Sequence, residues 1–555
     1  MAQKKAWLVC CFLLSALICV AALVCLCVVS LVDRRCSSSS FKNAAVSADS
    51  QICSEIGRKL LQEGGSAVDG AIGALLCTSV VNPQSMGIGG GSIFTVRDKT
   101  GNVSVYNFRE TAPRSVQKNL LSDCPTRFQL TVDPKWIGVP TELRGYEALH
   151  KKYGRLPWSR LFEPTIRLAR EGIPMPPYLG KFLQSPIVKQ RVKSSSLCEV
   201  LCNENKTVLS HGDVLRFPKL AETMETIATL GADTFYSGKI GQDLIQDVRA
   251  AGGTLSMEDM ESVRVKVTKA WTVSLHDVKL HLPPPPAGGA LLAFILKLME
   301  GFNVTENSLD GDRKIHFYHL YATAAKFANN NRRRIYDPEF NSHNGSALLI
   351  DPLFISKIRE QILSNSSHGE NVKTPSDQLG TTHVSVVDED GLAVSATSTI
   401  NQLFGAAIYS PRTGVILNNE LLDFCGRVDS VGAGEQPPSS MTPVILEWSS
   451  GRLLVIGGSG GSLITSAVAL SIINHLWLGM NLRDAIAAPI LFVDSRNNVN
   501  FEPGFDQSVI DGLKAQGHQV GDWKFFLNVV NAVERDNGCF EGASDMRKMG
   551  AAAGY

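Results

Sequence analysis

The chain has 555 residues, 44 % of them hydrophobic, and a formal net charge of +1. That length corresponds to about three or four ordinary domains or to one large layered enzyme, with ample apolar content for a core. The near-zero charge and the lack of a strong Lys/Arg run exclude an electrostatic case for nucleic-acid binding.

Residues 6–32 are almost uncharged, with Lys4-Lys5 before them and Asp33-Arg34-Arg35 after. About 20 apolar residues span a bilayer, so the run predicts a transmembrane signal anchor behind a cytoplasmic tail, residues 1–5. A cleaved signal peptide is the alternative, but its apolar region is normally ~7–15 residues long. Basic residues flank both ends, so charge gives little orientation. The acceptor signals at Asn102, Asn205, Asn303, Asn344 and Asn365 supply it, because all lie beyond the anchor and suggest a lumenal body. The expectation is a single-pass type II protein of the plasma membrane with its body outside the cell.

Of the 13 cysteines, Cys10, Cys11, Cys19, Cys25 and Cys27 lie in the apolar run. Cys53, Cys77, Cys198 and Cys202 are expected to form disulfides. No second Cys/His pair of suitable spacing accompanies Cys198 and Cys202, and an oxidising compartment favours a bridge over zinc. Cys36, Cys124, Cys425 and Cys539 cannot be paired from sequence.

After a polar stem, residues 33–41, helices are predicted over 54–61 and 67–78, with Gly64-Gly65 between them and Asn82-Pro83 closing the second. Strands are predicted over 92–97 and 103–108. At the end of the latter, Arg109-Glu110 offers a guanidinium suited to a substrate carboxylate. Residues 141–265 are mostly helical in pattern, and Pro283-Pro284-Pro285-Pro286 ends that region before a buried helix over 287–299. His316 and His319 could share a helix face, but without a third ligand they read as structural, so no metal or cofactor is expected.

Residues 364–377 read as an exposed linker in which a processing site would fit. It leads to Gly380 and to a Val/Thr-rich hairpin whose arms flank Asp390-Gly391. Pairing Val387 with Leu392 sets Thr381 opposite Ser398 and beside Thr399. A Thr hydroxyl becomes a useful nucleophile when cleavage makes it N-terminal and its own α-amine serves as base. Gly380 supplies the unhindered carbonyl that an N-to-O acyl shift needs. Further on, Glu420 and Asp423 follow Asn418-Asn419 and could hold an ammonium group.

The run Gly457-Gly458-Ser459-Gly460-Gly461, between a predicted strand and a helix over 463–478, invites a rival reading. It matches the G-x-S-x-G nucleophile elbow, and Asp494 and His518 follow in the order of a serine hydrolase. The same glycines could instead expose N–H groups as an oxyanion hole.

These segments together resemble the gamma-glutamyltransferase family of N-terminal nucleophile hydrolases, from about residue 42 to Tyr555. The resemblance rests on Asn82 to Gly91, Arg109-Glu110, the Thr381 and Thr399 hairpin, Asn418-Asn419-Glu420, Ser439-Ser440-Met441, the glycine run and Ser544 to Lys548. It implies an α/β fold, a four-layer αββα sandwich. It also implies self-cleavage between Gly380 and Thr381 into a large chain, 42–380 with its anchor, and an associated small chain, 381–555.

Carried over, Thr381 is the nucleophile, Thr399 its support, and Gly460 and Gly461 the oxyanion hole. Arg109, Ser439 and Ser440 bind the glutamyl α-carboxylate, and Asn401, Glu420 and Asp423 its α-amine. The implied substrates are small γ-glutamyl compounds. Residues 406–414 and 418–423 look most like the branch that acts on leukotriene C4, whereas Leu422 and Leu403 depart from the better-known branch, which usually has Asp and Tyr there. A non-catalytic surface protein is the other reading; loss of Thr381 or the glycine run would mark it, and both are present.

Overall fold

The computed structural model describes Val20 and residues 36–555 except 38, 126–129, 131, 342–344, 365–379, 428 and 525. The expected anchor, Val20 apart, and the linker residues 365–377 fall outside the described residues. Among the described residues no helix is long and apolar enough to cross a membrane.

Two antiparallel sheets lie face to face. One has seven strands in the order Ala553–Gly554, Ala45–Ser47, Thr382–Val387, Ala393–Thr399, Gly91–Arg97, Val103–Phe108 and Lys266–Lys269. The other has six: Cys539–Ser544, Val529–Asp536, Leu453–Ser459, Val444–Trp448, Val278–Leu282 and Trp271–Leu275. Thr382–Val387 packs across the sheet gap on Leu453–Ser459 and Val529–Asp536. Helices cover both outer faces, so the expected αββα layering is present.

On the seven-stranded side, Ala67–Val81 starts at a capping box in which Ser66 and Asp69 satisfy each other's backbone N–H groups. Every residue of this helix is buried, as suits a helix that is apolar all round. It is sandwiched between the strand Thr382–Val387 and the outer helices Gln51–Gln62 and Trp158–Glu171. On the other side, the apolar helices Gly289–Glu300 and Leu463–Leu476 pack together over the six-stranded sheet.

The layer between the sheets is partly polar. Ser385 Oγ donates to Asn531 O at 3.1 Å, Ser395 Oγ to Ile456 O at 3.1 Å and Thr95 Oγ1 to Pro443 O at 2.6 Å. These hydroxyls are fully buried, and each bond spares a desolvated group from going unpaired.

The hairpin register differs from expectation by one residue. Val387 pairs with Ala393 and Ser398 with Thr382, which brings Thr381 to Thr399 rather than Ser398. Asp390-Gly391 is not a two-residue turn. Asp388 N donates to Leu392 O and Gly391 N to Asp388 O, with Gly391 at φ +81°, so a type I turn continues into a left-handed residue. Asp388 Oδ1 accepts from Leu392 N at 3.0 Å, and Oδ2 from Ala67 N at 2.9 Å. The extra residue shifts the whole second arm.

The four cysteines expected to bridge do so as Cys53–Cys77 and Cys198–Cys202. Those left open pair as Cys36–Cys539 and Cys124–Cys425. Asn102, Asn205 and Asn303 are exposed, while Asn344 and Asn365 lie outside the described residues.

Candidate active site

The site forms where Thr382–Val387 begins. Gly380 sits at φ +152° and so close to the next loop that a Cβ there would meet Asn401 O at 2.4 Å. No side chain fits that position. Its carbonyl oxygen accepts from Thr399 Oγ1 at 2.9 Å and lies against the Thr381 hydroxyl, with the two threonine hydroxyls 3.4 Å apart. Thr399 Oγ1 also accepts from Asn401 N at 2.8 Å, which fixes its orientation. A hydroxyl held against the preceding carbonyl, with a second hydroxyl polarising that carbonyl, is the arrangement an N-to-O acyl shift requires.

His383, the nearest histidine in sequence, is no base for this hydroxyl. It is fully buried between Thr397 Oγ1, 2.8 Å from Nδ1, and Ser385 Oγ, 3.0 Å from Nε2, and burial lowers its pKa to about 3. It stays neutral and ties two neighbouring strands of the seven-stranded sheet together.

Arg109 enters from the end of Val103–Phe108 and is almost completely buried. Its Nη1 is 2.6 Å from Glu420 Oε1 and its Nη2 2.6 Å from Asp423 Oδ2, while Nε donates to Pro437 O at 2.7 Å. Glu110 adds a third carboxyl. Burial and the adjacent Glu420 push it well above the ordinary carboxylate range. Burial raises Glu420 to about 7 against the pull of Arg109, and burial also pushes Asp423 above its ordinary value. One guanidinium thus faces more carboxyl groups than it can balance. An ammonium arriving beside Glu420 and Asp423 would supply the missing positive charge, and a carboxylate would find Arg109 next to it.

Except for Gly460, the residues expected in the site line one cavity of about 90 Å³: Arg109, Thr381, Thr399, Asn401, Glu420, Asp423, Ser439, Ser440 and Gly461. Asn401 Nδ2 donates to Asn419 O at 3.0 Å. Ser440 Oγ accepts from Arg332 Nη1 at 2.5 Å, and Ser439 Oγ from Met441 N at 3.0 Å. Gly460 lies behind the cavity wall against the backbone of Asn528.

The serine-hydrolase elbow is not built. Ser459 is the fully buried last residue of the strand Leu453–Ser459, paired with Val529, and its hydroxyl accepts from Lys548. His518 lies within hydrogen-bonding distance of His319 and Lys326, and the Asp494 carboxylate accepts from Asn498 and Asn500. The rival triad is dispersed, and the strand runs on through Ser459, where an elbow would turn.

Sequence reading assigned no role to Lys548. Its ammonium donates to Thr381 O at 2.8 Å, Asp49 Oδ2 at 2.7 Å, Ser459 Oγ at 3.2 Å and Ser85 Oγ at 3.3 Å. Asp49 also accepts from Thr382 Oγ1 and from Asn531 Nδ2, each at 2.7 Å. This buried cluster ties both sheets to the backbone of Thr381. Its only trace in sequence was the terminal motif that ends in Lys548.

The four-layer αββα architecture is shared with a solved structure of low sequence identity. Cephalosporin acylase from Bacillus halodurans superposes with a TM-score of 0.83 over 94 % of this chain and 97 % of that one, at 23 % identity, a likeness of fold. The sequence narrows this further. Residues 53–555 match the family model described as gamma-glutamyltranspeptidase. The glutathione hydrolase 5 proenzyme of Rattus norvegicus is 47 % identical over 540 residues and that of Homo sapiens 46 % over 552, each with 94 % of both chains covered. The chain belongs to the gamma-glutamyltranspeptidase family.

Proposed function

We propose that this protein hydrolyses the γ-glutamyl bond of glutathione and of glutathione S-conjugates, leukotriene C4 among them, with transfer to amino-acid or peptide acceptors as a competing outcome. The observation that carries the reading is the Thr381 hydroxyl held against Gly380 O in the same cavity as the Arg109, Glu420 and Asp423 cluster. The names of the relatives support the choice of glutathione, and the branch resemblance supports leukotriene C4.

In the precursor, Thr381 Oγ1 attacks the Gly380 carbonyl carbon, the Gly380–Thr381 peptide bond gives way to an ester, and water cleaves that ester. The freed α-amine, with an ordinary pKa of ~7.7–8.0, then takes the Oγ1 proton as Thr381 attacks the substrate's γ-carbonyl carbon. The backbone N–H of Gly461, which lines the cavity, stabilises the oxyanion. The ammonium so formed returns its proton to the leaving amine, and water or an acceptor amine releases the glutamyl group from the ester. The charged cluster selects a free glutamyl head by pairing both of its charges.

We further propose a membrane-anchored large chain with the catalytic body outside the cell, supported by the apolar run over 6–32 and the exposure of Asn102, Asn205 and Asn303.

The test compares wild type with Thr381→Ala after deglycosylation. Reducing denaturing electrophoresis should give two chains for wild type and one for the variant, and wild type alone should turn over glutathione, leukotriene C4 and a chromogenic γ-glutamyl anilide. Identical band patterns, or equal efficiency on an α-linked glutamyl peptide, would refute the reading.

A further inference from the structure

Four arginines line the cavity that holds Thr381: Arg109, Arg332, Arg333 and Arg427. Three have evident tasks. Arg109 is paired with Glu420 and Asp423. Arg332 donates from Nη1 to Ser440 Oγ, from Nη2 to Ser462 O at 3.1 Å and from Nε to Asn329 Oδ1 at 2.9 Å, which orients Ser440. Arg427 is nearly buried, paired with Glu435 and Asp429 and stacked over Phe424 and Tyr336. Among the described residues Arg333 makes no hydrogen bond, ion pair or ring contact, and it is exposed at the cavity mouth.

The backbone that presents it is fixed. Arg332–Arg334 is a short 3-10 turn, in which Arg334 N donates to Asn331 O at 2.9 Å and Ile335 N to Arg332 O at 3.0 Å. Arg334 Nε donates to Asn331 Oδ1 at 2.7 Å, and Ile335 is buried. A guanidinium without an anion, on an anchored turn beside a nucleophile, is a waiting carboxylate receptor.

The glutamyl head consumes the Arg109 cluster, whose guanidinium is almost completely buried. The leaving part of glutathione is a dipeptide that ends in a glycyl carboxylate, and two extended residues reach about 7 Å. We propose that Arg333 binds the terminal carboxylate of the leaving peptide and thereby sets the preference for glutathione-type substrates over γ-glutamyl amines that lack a carboxylate. This rests on the γ-glutamyl reading above and adds the recognition of the other half of the substrate.

The test is a cycle of two peptides and two proteins: glutathione and its C-terminal amide, with wild type and Arg333→Ala. The ratio of kcat/KM values cancels differences in folding or maturation. Wild type should prefer glutathione about five-fold, as fits an exposed charge pair, and the preference should shrink with added salt. Arg333→Ala should bring the ratio to about one. Equal turnover of the two peptides by wild type, or a preference that survives in Arg333→Ala, would overturn the assignment while leaving γ-glutamyl hydrolysis intact. Turnover of neither peptide would sink the γ-glutamyl reading and this inference with it.

Discussion

Glu142 is a carboxyl on which burial dominates. It is fully buried behind the hairpin, where Ser92 Oγ donates to Oε1 at 2.7 Å and Ser398 Oγ to the same oxygen at 3.0 Å. Desolvation outweighs these bonds and raises it from an ordinary 4.5 to about 7. The folded protein therefore holds this proton more tightly than the unfolded chain between those values. The stabilisation is complete below pH 4.5 and is lost as pH rises towards 7, with an order-of-magnitude size of about 3 kcal/mol at ~1.4 kcal/mol per pH unit. Replacing Glu142 by Gln should remove that slope. Thermal unfolding of both proteins across pH 4.5 to 7.5 checks it, and parallel curves would show that Glu142 does not titrate in this range.

At the level of elements, the sheets meet at a point where a glycine of one faces a polar ring of the other. A Cβ on Gly457 would lie 2.3 Å from His383 Cε1 and 2.6 Å from its Nδ1, and the ring is fixed by Thr397 and Ser385. Gly457→Ala should therefore cost about 1–3 kcal/mol through overpacking. Chemical denaturation reads the loss directly; a midpoint equal to wild type would mean that the sheets separate without penalty.

The helix over 67–78 was legible because Gly64-Gly65 and Asn82-Pro83 bound an apolar run, and the strands over 92–97 and 103–108 because their pattern is local. The hairpin register was not, since it depends on Asp388 receiving Ala67 N from 321 positions away. Arg109, Glu420 and Asp423 were each legible as chemistry, but only the family resemblance, and no local pattern, brought them around one head group. Lys548 and Asp49, separated by 499 positions, carry no local sign that they meet under Thr381. Nor does local pattern tell a strand that ends at Gly457 from one that continues to Ser459, which is why the serine elbow looked plausible.

Across the whole molecule, the site is built from both sides of the Gly380–Thr381 bond, Arg109 and Gly380 before it and Thr381, Thr399, Glu420 and Asp423 after it. Cys124 and Cys425, and Cys36 and Cys539, lie on opposite sides of the Gly380–Thr381 bond. Each bridge closes a covalent ring that includes that bond, so scission opens two rings without parting the molecule. Maturation then frees a new amine while the halves remain a single particle, tied once near the start of the body and once beside the site. Wild type denatured without thiol should run as one species although its backbone is cut, and should fall into two only with a reductant. Separation without reduction would mean that these bridges do not form. If they do, the small chain cannot be shed into the surroundings by loss of packing alone, and release of the activity would require a thiol as well as a denaturing stress.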